Sequence, residues 1–127
     1  MAALILLAHG SPDPAWMKPV EASAARIRAL APELLVRTAA LEGSASLEEA
    51  VSELEAAGEH EIQVVAYFLS PGGRHLRRDI PELVAAVRAS HPALSIALAP
   101  GALGIEEEVQ DALARAAVRL ARGGASG

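Results

Sequence analysis

His9 and His75 are the side chains in this chain best suited to chemistry. His9 closes the run Leu4-Ile5-Leu6-Leu7-Ala8 and is followed by Gly10-Ser11. His75 follows Val64-Val65-Ala66-Tyr67-Phe68-Leu69 across the loop Ser70-Pro71-Gly72-Gly73-Arg74. Glu42 ends a weaker apolar stretch, Leu34 to Leu41, just before Gly43-Ser44. A neutral imidazole can ligate a borderline divalent cation and can accept a proton near neutral pH, and a carboxylate can do either beside it. Two histidines and one acid brought together would make a divalent-metal site or a proton shuttle. Taken singly, each has a plainer reading: His9 as a turn cap beside Ser11 and Asp13, His75 as a loop histidine, Glu42 as an exposed loop acid.

The elements that must bring them together are strands of a parallel sheet. Short apolar runs alternate with amphipathic helical stretches along the whole chain. The runs at Leu4 to Ala8, Leu34 to Leu41, Ile62 to Leu69 and Leu94 to Leu98 are apolar enough for strands covered on both faces. Between them, Trp16, Val20, Ala24, Ile27 and Leu30 recur at helical spacing, with Pro19 near the helix start, where its missing donor is tolerated. Ser46-Leu47-Glu48-Glu49 forms a capping box ahead of Val51 and Leu54, and Gly58 supplies the stop. Asp79-Ile80-Pro81-Glu82 opens a third helix burying Leu83, Val84 and Val87. A fourth begins near Ile105, with Glu106, Glu107 and Glu108 first, Arg115, Arg119 and Arg122 last, and an apolar stripe through Val109, Leu113, Ala116, Ala117 and Leu120.

This order predicts an α/β domain: a four-stranded parallel sheet flanked by helices, (βα)4, resembling a flavodoxin-like half-unit. It spans residues 1–122 as one domain, with 123–127 as a flexible tail. In such a sheet the first and third strands are neighbours and ligands bind beyond the carboxyl ends, at the switch point between them. His9, Glu42 and His75 all fall at that edge. His60 and His91 fall elsewhere and are read as structural or solvated.

Composition narrows the chemistry. The 127 residues contain no cysteine, which excludes disulfides, thiolate metal sites and cysteine nucleophiles and fits a cytoplasmic protein. Net charge is −5, which argues against a nucleic-acid surface. No apolar run approaches a membrane span, and Ala2 to Ala8, short and without a basic leader, is read as a buried strand rather than a signal. Aromatic residues are 2% of the chain, so ring stacking is not the main grip on a ligand. Arg74, Arg77 and Arg78 crowd around His75 and form a cationic edge suited to an anionic small molecule; a solvated helix entry is the plainer reading. Ser11, Ser70, Gly72 and Gly73, in the loops flanking the histidines, are the remaining candidate substrate contacts. Walker, dinucleotide and nucleophile-elbow spacings are absent.

Three segments together carry a family resemblance: Leu6-Leu7-Ala8-His9-Gly10-Ser11; Leu41-Glu42 with Ser46-Leu47-Glu48-Glu49-Ala50; and Phe68 to His75 continuing through Arg78-Asp79-Ile80-Pro81. In this order they resemble the sirohydrochlorin cobaltochelatases, most closely the short, single-domain CbiX type, from about Leu4 to about Gly104. The loop before His75 carries one glycine more than the family pattern. The resemblance implies a chelatase-like fold and ATP-independent insertion of Co²⁺, or of Ni²⁺ or Fe²⁺ as in relatives, into sirohydrochlorin or a related tetrapyrrole. The divalent metal is then a substrate, and no organic cofactor is expected. His9 and His75 match the family's active-site histidines, as metal ligand and proton acceptor, and Glu42 matches its acid. Arg74, Arg77 and Arg78 would hold substrate carboxylates. The short form implies a homodimer, with neither a nucleic-acid nor a membrane partner.

Two rival functions use the same edge. One is a non-catalytic carrier of metal or tetrapyrrole. The other is a phosphate-ligand module of flavodoxin type that exploits helix N-termini.

Overall fold

A computed structural model describes residues 2–43, 46–70 and 72–123, with His75 described by its backbone alone. Among these residues the chain alternates strand and helix in the expected order. The elements are β1 (Ala2–Gly10), α1 (Lys18–Leu30), β2 (Leu35–Glu42), α2 (Leu47–Ala56), β3 (Glu61–Ala66), α3 (Arg74–Ser90), β4 (Ser95–Leu98) and α4 (Glu107–Ala121). Short 3-10 turns at Pro14–Met17 and Leu103–Ile105 lead into α1 and α4. The four strands are parallel in the order β2-β1-β3-β4, so β1 and β3 are neighbours and the switch point lies between them. The expected tail overlaps the described residues only at Gly123; 124–127 lie outside them.

Strand alternation assigns the two faces. Ala3, Ile5 and Leu7 of β1 pack with Ile62 and Val64 of β3 against Leu47, Val51 and Leu54 of α2 and Ile80, Val84 and Val87 of α3. Leu6 and Ala8 point the other way, with Val36, onto Val20 and Ala24 of α1. The register follows: Leu7 pairs with Ala39 and with Ala66, and Gly10 with Glu42. The Ser46 hydroxyl accepts from the Glu49 amide, as the capping box predicts. At the other end of α2, Gly58 turns at φ 90° and the Glu59 amide returns to the Leu54 carbonyl, closing the helix.

Three expectations are corrected. Trp16 and Leu30 are 63% and 84% exposed, so the core stripe of α1 narrows to Val20 and Ala24, flanked by the half-buried Ile27. α3 begins at Arg74, not Asp79, and carries Pro81 in its interior. Buried Ile80, Val84 and Val87 hold this helix on the sheet, and that packing outweighs the donor Pro81 lacks. None of the residues of α4 is buried: Leu113 and Leu120 of the predicted stripe are 45% and 57% exposed.

His91, which caps α3, has a clear structural task. Its Nδ1 meets Glu55 Oε1 at 2.6 Å and its Nε2 meets Glu48 Oε2 at 3.0 Å. Carboxylate oxygens only accept, so both ring nitrogens must donate, and the clamp is complete only in the imidazolium form. The Glu55 hydrogen bond above all, then Glu48, raises the His91 pKa above its ordinary 6.5 against the opposing effect of burial. Because the folded value is the higher one, the stabilisation is fully present below pH 6.5 and lost as pH climbs through the raised folded value. Thermal melts from about pH 5.5 to about pH 9 should show Tm falling across that window, with a flatter profile for His91→Asn. Parallel profiles for the two proteins would show that the clamp stores no pH-dependent stability.

Candidate active site

The carboxyl edge of the sheet is where β1 runs out, and the phase of that strand sets the direction of its last side chains. His9 is in phase with Ile5 and Leu7, so it leaves the sheet on the face carrying α2 and α3. It lies within β1 rather than beyond it, because β1 extends to Gly10, where the backbone turns at φ 78°. A Cβ on Gly10 would overlap the Glu42 carbonyl oxygen, so only glycine lets the ends of β1 and β2 approach this closely.

That approach brings His9 and Glu42 together. His9 Nδ1 lies 3.6 Å from Glu42 Oε2, with the two side chains 53% and 60% exposed. Nδ1 also lies 3.2 Å from the Gly10 carbonyl oxygen. A carbonyl only accepts, so Nδ1 is the donor in this contact, and the neutral tautomer that matches it has its lone pair on Nε2. Glu42 belongs to the opposite strand phase and lines a cavity on the α1 face with Ser11, Glu21, Thr38 and Ala40, about 360 Å³ in volume. Its carboxylate therefore reaches His9 around the strand end.

His75 is the second residue of α3, the helix that follows β3 on the face to which His9 points. Its side chain lies outside the described residues, and so does Pro71. The start of the segment that leads from β3 toward it is held from both sides. Tyr67 accepts from Ser23 of α1 at 2.8 Å and donates to the Pro19 carbonyl at 3.3 Å. The Phe68 carbonyl accepts from the Gly104 amide at 2.8 Å, and a Cβ at Gly104 would overlap the Leu69 backbone. Tyr67, Ser23 and Gly104 are positioning residues that sequence reasoning missed. Ser23 and Tyr67 are 44 positions apart, and no local pattern announces such a pairing. Nothing local to Gly104 in the sequence announces its close approach to Leu69.

The other candidates separate. Ser11 accepts from the Asp13 amide at 3.1 Å and shapes the turn after His9. Ser70 accepts from the Gly72 amide at 3.4 Å. Gly72 turns at φ 85°, where a Cβ would press on Leu76, whereas Gly73 is the N-cap of α3 with an ordinary φ of −76°. Gly73 thus has no backbone need for glycine. Arg74 is exposed, Arg78 lies 4.0 Å from Asp79, and Arg77 lines a cavity of about 320 Å³ between α3 and the β3–β4 side of the edge. Among the described side chains, no three metal-ligating groups converge on one point. The arrangement offers an imidazole at the strand end, a carboxylate 3.6 Å from it, and separate cationic positions along the first turns of α3.

A family model described as CbiX matches residues 3–120. The fold is similar to the crystal structure of a CbiX protein from Marinobacter aquaeolei VT8 assigned to cobalamin (vitamin B12) biosynthesis. That match has TM-score 0.81 and 27% identity, and covers 100% of this chain and 99% of the other. No curated protein matches the sequence.

Proposed function

The chain belongs to the CbiX family of tetrapyrrole metal chelatases, and from that premise we propose that it inserts a divalent metal ion into sirohydrochlorin or a closely related tetrapyrrole without ATP. Co²⁺ is the first choice of metal, with Ni²⁺ and Fe²⁺ next. The observation that carries this reading is the placement of His9 at the strand end, with Nδ1 3.2 Å from the Gly10 carbonyl and 3.6 Å from Glu42, an arrangement that directs Nε2 of the neutral ring toward a ligand.

Metallation requires an incoming ion to lose water and two pyrrole nitrogens to lose protons. In this reading Nε2 of His9 ligates the ion or takes a pyrrole proton. In the second case Glu42, 3.6 Å from Nδ1, steadies the imidazolium and carries the Nδ1 proton to solvent while the ring keeps the one gained at Nε2. His75, in the first turn of the neighbouring α3, supplies the second imidazole. Arg74, Arg77 and Arg78 attract the carboxylates of the substrate, while Ser11, Ser70, Gly72 and Gly73 border it. A metal as substrate must leave with the product, so a weak, half-exposed ligand set suits the task better than a closed cage.

The proposal extends to a homodimer in the cytoplasm. The bare apolar side of α4 supports the dimer, and the absence of cysteine suits a reducing compartment. No described helix is long and apolar enough to cross a membrane.

The test is anaerobic incubation with sirohydrochlorin and each of the three ions, following the absorption change of metallation against a no-enzyme control. Acceleration with one ion is expected. A folded protein that accelerates none but binds metal or tetrapyrrole tightly is a carrier, not a chelatase.

A further inference from the structure

The cavity lined by Arg77 has the composition of a receptor for one kind of chemical group. Its walls are apolar, with Ala66 and Phe68 from the β3 side, Ile80 and Pro81 from α3, and Ala99 from the end of β4. Arg77 is the one ionisable residue of that lining, and among the described residues its guanidinium has no hydrogen-bond or ion-pair partner. A carboxylate on a short aliphatic arm satisfies both features: the arm fills the apolar walls and the carboxylate takes the guanidinium of Arg77, exposed at the cavity, by charge-assisted hydrogen bonds.

Size and position decide what carries the arm. At about 320 Å³ the cavity is at the lower end of small-molecule sites, so it admits a substituent rather than a macrocycle. Ala66 pairs with Leu7, two positions before His9, and both face α3, so the cavity opens on the same side of the same edge as His9. The cavity on the α1 face has the opposite character: Glu21 and Glu42 line it, and it would repel a carboxylate.

Resting on the chelatase reading, we infer that the Arg77 cavity is an anchoring subsite for one carboxylate-bearing side arm of the tetrapyrrole, which fixes the orientation of the ring over His9. Arg77 is then the specificity-determining cation of the arginine group.

Titration of ¹⁵N-labelled protein with hexanoate tests the subsite without any tetrapyrrole. The amides of Ala66, Arg77, Ala99 and Ala102 should shift with hexanoate and not with hexylamine, and the shifts should vanish in Arg77→Gln. In metal insertion, Arg77→Gln and the cavity-filling Ala99→Phe should each raise the KM for the tetrapyrrole about tenfold, with the loss falling on KM rather than kcat. Thermal melts show whether Ala99→Phe is folded; if it is not, Arg77→Gln carries the kinetic test alone. Absence of shifts with hexanoate, or equal shifts with hexylamine, overturns the subsite. Hexanoate binding with an unchanged KM in Arg77→Gln overturns its role in substrate recognition. A wild type that binds hexanoate but inserts no metal overturns the chelatase reading, and with it the tetrapyrrole as bearer of the arm, while the carboxylate site itself stands.

Discussion

His9→Ala is expected to slow metal insertion by at least about a hundredfold, the usual lower range for loss of a positioned acid–base group. The fold should be spared. The His9 side chain is 53% exposed and outside both core clusters, so the substitution leaves no cavity behind. Its Tm should stay within about 2 °C of wild type. The two readouts together matter, because an inactive and unfolded variant would say nothing about the imidazole. Insertion at the wild-type rate by a folded His9→Ala protein would falsify the proposed role. Loss of insertion with retained tetrapyrrole binding is the outcome that assigns the imidazole to the chemical step.

Gly10→Ala should do the reverse, damaging fold and site together. At φ 78° an L-residue carries a left-handed penalty of about 1–2 kcal/mol, and the new methyl would overlap the Glu42 carbonyl oxygen. Overpacking against backbone adds about 1–3 kcal/mol more, since backbone cannot rotate out of the way. A total of about 3 kcal/mol corresponds to a Tm drop on the order of 10 °C in a domain of this size. Activity should fall beyond that loss, measured below the lowered Tm, because relief of the overlap separates His9 from Glu42. Gly73→Ala is the control for stability: its φ is ordinary and nothing lies within contact of an added Cβ, so it should cost less than about 1 kcal/mol. Similar melts for the two variants would show that the end of β1 tolerates a side chain.

Much of the placement of the candidate residues was legible because parallel sheets convert one-dimensional order into position. Once apolar runs alternate with helical stretches, His9 and Glu42 must emerge at the carboxyl ends of adjacent strands, and β1 beside β3 follows from the usual crossover. The residues that tighten this into a site were less legible. Nothing local marks Gly10 as special, yet the distance between β1 and β2 is what makes it obligatory. The Tyr67–Ser23 and Gly104–Phe68 contacts join segments far apart in sequence.

By itself the sequence determined the order and type of the elements, the two-faced burial of β1, the cap at Ser46 and the edge at which His9, Glu42 and His75 belong, because each depends on local periodicity or on a single residue's chemistry. Only the tertiary structure decided which periodic faces are covered. Trp16, Leu30, Leu113 and Leu120 keep helical spacing and still meet solvent, since periodicity says which residues share a face and not whether another surface lies against it. It also decided that Pro81 lies inside α3, because the burial of Ile80, Val84 and Val87 outweighs one missing hydrogen bond. And it gave three neighbouring arginines, all exposed, different surroundings: Arg78 lies beside Asp79 and Arg77 lines an apolar cavity, a distinction set by what folds up around each guanidinium.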